Sequence, residues 1–426
     1  MGVQDLERSG LVEAAEGSYE VDGVAPRFVA WPRSVSEASQ VLRAAAADGL
    51  AVTFAGGGSK LGLGNPPERA DLVVLTGGLN QVLEHAAGDL VVRAQAGVRL
   101  ADLQAALAPA GQQLALDPPE PRATLGGVVA ANASGPRRLR YGTVRDLLIG
   151  VTVVLADGTV AKAGGKVVKN VAGYDLAKLF CGSLGTLGMV AEVIFRLHPV
   201  PAAASVVTLQ VNGPQEAGQA MRRLTRSTLE PSAAELTVDE WGWPGRLTVV
   251  FEGIQPGVEA QAAAAAELLG QVGEAAVAGA GGTEAALSQL GARPFEKTEL
   301  ALKATCPPAD LPVVLDRLRG GSLRWIGGLS VHAHAGTGVL WLASGIREGD
   351  LRPDDPAPRL TRWITETREA LAARGGSLVV VKAPPHLKRE VDVWGPPTDA
   401  VGLMRRVKER FDPDRRLSPG RFVGGI

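Results

Sequence analysis

The stretch "FAGGGSKLGLGNPP" (residues 54–67) contains Gly56, Gly57 and Gly58 in a row and two further glycines close behind them. Glycine has the most backbone freedom to lose on folding, so a run this dense is costly. The run therefore indicates that the backbone turns tightly there, or that something approaches it very closely. It directly follows "LAVTF" (50–54), which predicts a strand.

The residues before that strand complete a small α/β unit. "SVSEASQVLRAAAADG" predicts a helix that begins after Ser34, with capping-box spacing to Glu37, and ends at Gly49. "ADLVVLT" (70–76) predicts a second strand. The glycine loop then lies at the carboxyl end of a strand, where α/β sheets usually bind ligands.

Four interpretations of the glycine loop can be compared. A Walker-type loop fails, because Ser59 precedes Lys60 instead of following it. A Rossmann fingerprint fails, because the Asn-Pro-Pro sequence at 65–67 cannot open a helix. A plain surface loop stays open as an alternative. A nest of backbone N–H groups that binds an anion such as a pyrophosphate fits best, with the Ser59 hydroxyl as one more donor.

Composition narrows the class of protein. The chain has 426 residues, of which 46% are hydrophobic, enough for two or three domains. Lysine plus arginine (44) nearly equals aspartate plus glutamate (45), so nucleic-acid binding is not expected. Only Cys181 and Cys306 occur, far apart, so neither a disulfide framework nor a zinc or iron–sulfur site is expected. We expect no metal site.

Hydropathy predicts a soluble, cytoplasmic protein. The N-terminal 17 residues are acidic and lack the apolar core of a signal peptide. The longest apolar run, near residues 147–156, is about half the ~20 residues of a membrane-spanning helix.

After the small α/β unit, the predicted order of strands and helices changes twice. Residues 88–97 predict a strand, 99–111 a helix, 147–165 a hairpin turning at Asp157-Gly158, and 186–201 a long strand closed by prolines. Strands then alternate with helices to about residue 390. A basic helix and an extended tail follow without a long linker, so we expect the tail to pack back on the body.

Ordered motifs across the first 201 residues resemble the FAD-binding domain of the vanillyl-alcohol oxidase family, also called the PCMH type. The resemblance covers roughly residues 26–201. The motifs are the glycine loop (55–60), "TLGG" (124–127), "AANASG" (130–135), "RYG" (140–142), "DGTV" (157–160), "GYDLAKLF" (173–180) and "GSLGTLG" (182–188).

The resemblance implies an α+β fold in three parts. A PCMH-type FAD-binding domain would span residues 1–201, in subdomains of about 1–76 and 77–201. A cap domain with an antiparallel sheet and helices would span 202–390. The C-terminal segment, 391–426, would pack back on the FAD domain.

The resemblance also implies a set of cofactor-binding residues. The glycine loop would cradle the FAD diphosphate with Lys60 as a point charge, "TLGG" would let the flavin lie against bare backbone, and the second glycine-rich turn and Val190 would offer polar and backbone groups. For Ser134 and Thr186, simple turn capping stays an alternative. The full set is Gly56, Gly57, Gly58, Ser59, Lys60, Gly64, Asn65, Pro118, Thr124, Gly126, Gly127, Asn132, Ser134, Gly135, Gly142, Gly182, Ser183, Gly185, Thr186 and Val190.

Attachment of the cofactor is expected to be noncovalent. Covalent members of the family use a histidine in the glycine loop or a cysteine near the second motif. Residues 54–67 contain neither, and residues 117–146 contain no cysteine.

Within the family, the chain is most similar to the GlcE type of glycolate oxidase subunit, and more loosely to the GlcD type and to D-lactate dehydrogenases. Residues 303–318 resemble part of their cap domain. The ending "RFDPDRRLSPGRF" (410–422) resembles their "FDP…NPG" terminus, with Ser418 in place of asparagine.

The catalytic motifs of active members are incomplete in this chain. Where they carry G-H-x-G-D-G-N-x-H, this chain has "AHAGTGVLW" (333–341), which keeps His334 but has Thr337, Val339 and Trp341 for the aspartate, the asparagine and the second histidine. Where E-H-G is expected, the chain has "VVVKAPP" (379–385). We therefore assign no catalytic residue, with His334 at most a remnant base.

These observations predict an FAD-binding subunit of a glycolate or D-2-hydroxy acid dehydrogenase complex. Its partners would be a GlcD-like flavoprotein and a GlcF-like iron–sulfur subunit, which could hold the complex at the inner face of the membrane. One alternative is a self-sufficient FAD-dependent 2-hydroxy acid dehydrogenase that binds a carboxylate through Arg293, Arg324 or Lys382. A second is a scaffold subunit without cofactor.

Overall fold

The computed structural model describes residues 2–16, 19–166, 174–239, 242–290, 298–319, 328–346 and 357–426. Arg293 and Arg324 lie outside these residues, as does Gly173 of the "GYDLAKLF" motif. The fold is α+β, as predicted, and forms two compact units. The N-terminal unit comprises Met1–Ser134, Gly142–Val200 and Pro396–Ile426, and the cap unit comprises Gly135–Tyr141 and Pro201–Gly395.

The first sheet of the N-terminal unit has four strands in the order β1-β2-β4-β3. Its central pairs, β2–β4 and β3–β4, are parallel, and β1 joins antiparallel. Its elements are α1 (Val3–Arg8), β1 (Val12–Ala14), β2 (Phe28–Ala30), α2 (Val35–Ala47), β3 (Val52–Ala55) and β4 (Leu72–Leu75). The Ser34 side chain accepts a hydrogen bond from the Glu37 amide at 3.1 Å, so the predicted start of α2 is confirmed.

The second sheet of this unit has five antiparallel strands in the order β5-β6-β10-β8-β9. Its strands are β5 (Val82–Ala86), β6 (Val91–Gln95), β8 (Leu148–Val154), β9 (Val160–Gly164) and β10 (Met189–Arg196), while β7 (Gln112–Gln113) pairs with β11 (His198–Pro199). The predicted hairpin is confirmed as β8–β9. Thr159 donates hydrogen bonds to the Asp157 carboxylate, and this contact holds the pKa of Asp157 below its usual value.

Short helices connect these strands: α3 (Leu100–Leu107), α4 (Leu125–Ala131), α6 (Val144–Leu147) and α7 (Ala177–Phe180). Two predicted boundaries shift. The strand expected over 186–201 begins only at Met189 and is interrupted at Leu197, after which β11 pairs with a different partner. The helix expected to reach Gly111 ends in a 3₁₀ turn at Ala108–Ala110.

The C-terminal tail extends the first sheet. After α14 (Val401–Phe411), the Val52 amide donates to the Arg416 carbonyl and the Ser418 amide donates to the Val52 carbonyl, each at 2.8 Å. Leu417 thereby forms a parallel bridge to Val52 at the edge of β3. Further along, the Asn65 amide donates to the Arg421 carbonyl at 3.0 Å.

A buried ion pair fixes this tail. The Lys408 ammonium donates to the Asp412 carboxylate at 2.6 Å and to the carbonyls of Thr186 and Leu417, each at 2.8 Å. The two charged side chains are 3% and 0% exposed. Burial lowers the pKa of Lys408, while the Asp412 carboxylate opposes that shift.

The cap unit is one eight-stranded antiparallel sheet in the order β15-β12-β14-β13-β17-β18-β16-β19. Its strands are β12 (Ala203–Val211), β13 (Ala233–Val238), β14 (Gly245–Gly253), β15 (Ala275–Val277), β16 (Ala301–Thr305), β17 (Leu329–His334), β18 (Val339–Ser344) and β19 (Ser377–Lys382). Its helices are α5 (Arg138–Tyr141), α8 (Pro214–Arg226), α9 (Gln255–Gly270), α10 (Ala280–Gln289), α11 (Leu311–Arg319), α12 (Ala357–Ala372) and α13 (Pro385–Glu390).

Strand alternation gives this sheet two different faces. On β14, Leu247, Val249 and Phe251 join the main apolar core of the unit, while Glu252 belongs to the opposite face. Arg137 donates to the Glu252 carboxylate at 2.6 Å, and Arg140 donates to the Glu252 carbonyl at 2.6 Å. These bonds attach α5 to the cap unit, although the sequence placed its residues within 77–201.

None of the helices in the described ranges is both long and apolar enough to cross a membrane.

We predict that Lys408→Met destabilises the protein by about 3–5 kcal/mol, because it leaves the Asp412 carboxylate buried without its cation. The matched control is Arg406→Met, on the same helix but exposed, which should stay within about 0.5 kcal/mol of the parent. Urea unfolding followed by circular dichroism measures both. Equal midpoints for the two variants would contradict the assignment.

Candidate functional site

A cleft in the N-terminal unit lies where β3 ends. It is formed by the loop after β3, the segment that leads into α4, the turn at Leu184–Gly185, and the C-terminal tail. The space not filled by protein atoms is about 740 Å³, part of it open to solvent. Most of its lining is apolar side chain and bare backbone, with a few polar groups, which is the usual make-up of a small-molecule site.

The three consecutive glycines of the loop are required for different structural reasons. A Cβ atom on Gly57 would lie 1.8 Å from the Arg122 carbonyl oxygen, and one on Gly56 would lie 2.0 Å from the Thr124 hydroxyl oxygen. Gly58 instead has a φ of +75°, with nothing within 4 Å of a Cβ atom there. The first two glycines thus allow another chain segment to approach, and the third permits the turn.

The loop also presents unused donors. Within the described residues, the amide groups of Gly57, Gly58 and Ser59 make no hydrogen bond to the protein. All three residues line the cleft. Successive free N–H groups in such a turn form a concave site for an anion.

The opposite wall is the start of α4. The Thr124 hydroxyl oxygen accepts a hydrogen bond from the Gly127 amide at 3.4 Å, and both residues line the cleft. Gly126 does not, and its missing side chain has a packing reason: a Cβ atom there would lie 2.8 Å from the Cβ of Ala96.

The second glycine-rich turn packs on the end of α4. The Gly182 and Leu184 amides donate to the carbonyls of Val129 and Ala130, each at 2.9 Å. Gly185 has a φ of +75° and lines the cleft beside Phe54. The hydroxyls of this turn bond to nearby backbone: Ser183 donates to the Phe180 carbonyl at the end of α7, and Thr186 donates to the Ser183 carbonyl.

The cleft thus brings together eight of the predicted residues: Gly56, Gly57, Gly58, Ser59, Lys60, Thr124, Gly127 and Gly185. The other twelve do not line it: Gly64, Asn65, Pro118, Gly126, Asn132, Ser134, Gly135, Gly142, Gly182, Ser183, Thr186 and Val190. Gly64 instead meets the tail, since a Cβ atom there would lie 2.7 Å from the Arg421 carbonyl oxygen. Gly142 packs against Asp146, Val190 pairs with Val153 inside the sheet, and Gly135 belongs to the cap unit.

Sequence reasoning missed several lining residues, above all Arg421. Its guanidinium is 4% exposed and donates to the carbonyls of Leu61 and Leu63 at 2.5 and 2.6 Å. Burial lowers the pKa of Arg421, while nearby Asp22 opposes the shift. The only sequence signal was the basic residue in "SPGRF". Thr53, Phe54, Glu120, Leu184 and Ser418 also line the cleft.

Two observations concern polar groups near this cleft. Thr53 is 4% exposed, and its hydroxyl oxygen has no hydrogen-bond partner among the described residues. The Asn132 side-chain oxygen, at the left-handed end of α4, is likewise buried without a partner in the described ranges. Because buried polar atoms normally have partners, these atoms indicate a ligand or water.

The cap unit contains His334, which the sequence predicts to be at most a remnant base. His334 is 3% exposed, and its Nδ1 lies 2.8 Å from a Glu235 carboxylate oxygen. The Trp341 indole N–H donates to His334 Nε2 at 3.3 Å. An indole can only donate, so Nε2 is the acceptor and Nδ1 carries the proton that Glu235 accepts.

Neither of the two cysteines is a reactive thiol. Burial raises the pKa of Cys181 and of Cys306 to about 11, so both thiols are protonated at neutral pH. No group of three or more histidine, cysteine or acidic side chains in the described part of the chain could hold a metal ion.

Comparisons with known proteins identify the class of protein to which this chain belongs. Residues 26–164 match the FAD binding domain model, and residues 390–422 match the C-terminal domain of FAD linked oxidases. The chain is therefore an FAD-linked oxidoreductase by class.

Two relatives show the family to which the chain belongs. The chain is 28% identical over 422 residues to glycolate oxidase subunit GlcD of Bacillus subtilis (93% of this chain, 89% of that protein). It is 33% identical over 287 residues to GlcE of Escherichia coli (66% of this chain, 77% of that protein). The chain belongs to the glycolate oxidase and D-lactate dehydrogenase family of FAD-linked oxidoreductases.

The 4-ethylphenol oxidase of Gulosibacter chungangensis has the same fold, with a TM-score of 0.73 at 16% identity over 97% of this chain and 94% of that one. The GlcD match spans more of this chain than the GlcE match, so the comparisons do not separate these two types of subunit.

We predict that Gly57→Ala destabilises the cofactor-free protein more than Gly58→Ala. The first substitution forces the loop and Arg122 apart, whereas the second adds only left-handed backbone strain of about 1–2 kcal/mol. Thermal melts of both variants without FAD measure the difference. A smaller effect for Gly57→Ala would mean that residues 122–124 do not pack on the loop.

Proposed function

We propose that the cleft binds FAD noncovalently and that the chain is the FAD-binding, GlcE-type subunit of a 2-hydroxy acid dehydrogenase complex. The observation that carries the proposal is the row of amides at Gly57–Ser59, which make no hydrogen bond within the described residues. They line the same cleft as Thr53, whose hydroxyl likewise has no partner among those residues. These donors fit a diphosphate, and the family match supplies the cofactor's identity.

In this proposal, the chain's own groups bind and orient the cofactor. The amides of the glycine loop would hold the diphosphate, and the bare backbone at Gly127 and Gly185 would leave room for flat rings. The twelve predicted residues outside the cleft lining remain part of the proposal. FAD supplies hydride acceptance when bound.

The chemistry of the available side chains supports the proposal of noncovalent attachment. The loop offers no histidine or cysteine, and the Cys181 thiol, with its pKa raised to about 11 by burial, is not a nucleophile at neutral pH.

We propose a supporting role in turnover because the cap unit has no free base at His334. Oxidising a 2-hydroxy acid requires a base that takes the hydroxyl proton. The Nδ1–H of His334 is held by Glu235, and its Nε2 already accepts from Trp341. A GlcD-like flavoprotein would carry out the oxidation, and a GlcF-like iron–sulfur subunit would take the electrons, in the cytoplasm.

We predict that the purified chain binds FAD and that acid precipitation releases all flavin into the supernatant. Flavin absorbance of the pellet and supernatant measures this. A colourless protein whose melting temperature does not rise with added FAD would favour a scaffold without cofactor. Flavin retained in the pellet would contradict noncovalent attachment, but it would still support FAD binding.

The subunit role predicts little glycolate- or D-lactate-dependent dye reduction by the chain alone. Co-expression with the neighbouring genes of its genome should restore it. Full activity of the isolated chain would instead favour the self-sufficient dehydrogenase.

Substitution of His334 tests the same point at one residue. His334→Gln should change the activity of the assembled complex by less than about threefold, whereas loss of a true general base costs about 10²–10⁴-fold. His85→Gln is a matched control, because His85 Nε2 donates to the Gln112 side-chain oxygen at 2.8 Å and His85 belongs to the N-terminal unit. A hundredfold loss confined to His334→Gln, with FAD content unchanged, would assign catalysis to this chain.

A further inference from the structure

The glycine loop carries a cation that is already paired inside the cleft. The Lys60 ammonium forms an ion pair with the Glu120 carboxylate, and both residues line the cleft. The Lys60 side chain is 25% exposed and that of Glu120 is 20% exposed. The pair therefore sits at the wall of the cleft and is partly shielded from solvent.

The pair joins the two walls. Lys60 follows the unused amides of the loop, while Glu120 lies just before residues 122–124, which touch Gly56 and Gly57. The second Glu120 carboxylate oxygen is buried and has no hydrogen-bond partner among the described residues. Lys60 is thus the group that compensates this carboxylate.

A carboxylate at this position opposes an anionic ligand. A dinucleotide diphosphate carries two negative charges, and the amides that would receive them precede Lys60 directly in the chain. An ammonium contributes most to binding when it is free to face the phosphates, and the Glu120 carboxylate competes for it.

We propose that Glu120 is a positioning residue that limits the affinity of the cleft for diphosphate ligands by holding Lys60. This inference rests on the proposed cofactor site. We call the Lys60–Glu120 ion pair a latch, because in this inference it opens when a diphosphate binds. The ammonium is shared with Glu120 in the ligand-free protein and turns to the diphosphate on binding. Glu120 thereby weakens binding of the cofactor instead of contributing to it.

The first test is the affinity of the full-length chain for FAD, measured by quenching of flavin fluorescence. Glu120→Gln keeps the size of the side chain and removes its charge, and it should tighten FAD binding by about threefold to tenfold at low salt. The gain should shrink in 0.5 M NaCl because salt screens charges near the surface. Lys60→Met should weaken binding. Glu13→Gln, an exposed carboxylate on β1, is the control for net charge and should change nothing.

A second test separates the diphosphate from the rest of the ligand. ADP and adenosine are compared as competitors of FAD in the parent chain and in Glu120→Gln. The latch predicts tighter ADP binding in Glu120→Gln with adenosine unchanged. Equal gains for both ligands would mean that the substitution reshapes the cleft, and would overturn the latch.

A third readout needs no ligand. Acetic anhydride labelling followed by mass spectrometry should modify Lys60 faster in Glu120→Gln than in the parent, with Lys162 as an internal reference. If the parent bound neither FAD nor ADP, the cofactor site would fail, while this labelling would still report on the ion pair. Weaker or unchanged FAD binding by Glu120→Gln, with normal binding by the parent, would overturn the latch alone.

Discussion

The buried contact of Lys408 with Asp412 is the constraint on which the cleft depends. One ammonium satisfies a carboxylate and the carbonyls of Thr186 and Leu417, and so joins α14, the second glycine-rich turn and the tail. A buried pair of this kind contributes little net stability, but losing one partner is expensive. The ion pair matters here because it positions the tail. With Leu417 held beside β3, Arg421 donates to the carbonyls of Leu61 and Leu63 in the glycine loop.

The glycine loop is therefore shaped from three sides. The tail meets it at Gly64, residues 122–124 meet it at Gly56 and Gly57, and Phe54 meets the turn at Gly185. Neighbouring protein segments fill the space that side chains would take at Gly56, Gly57 and Gly64. The amides of Gly57–Ser59 nevertheless make no hydrogen bond within the described residues. Glycine thus does two things here: it lets neighbouring segments support the loop, and it keeps the donors of the loop accessible.

Sequence alone could predict the parts of this arrangement that are local. The cap of α2, the β8–β9 hairpin and the position of the glycine loop after β3 depend on residues a few positions apart. The contact of Arg421 with Leu61 joins residues 360 positions apart, and that of His334 with Glu235 joins residues 99 apart. No local pattern encodes such pairs. For the same reason Glu120 was missed, although Lys60 was predicted from its place in the loop.

The hydrogen bonds of the His334 imidazole are made within the cap unit. In the resemblance described above, Trp341 replaces the second histidine of the motif, and its indole N–H donates to Nε2 of His334. Glu235 accepts the other ring proton, so the imidazole is satisfied on both sides at 3% exposure. Restoring Asp, Asn and His at positions 337, 339 and 341 would therefore leave Glu235 still holding His334. All residues that line the cleft belong to the N-terminal unit, whereas His334, Glu235 and Trp341 belong to the cap unit. Under the proposed function, the chain would therefore bind the flavin with one unit while the other holds His334 in a structural network.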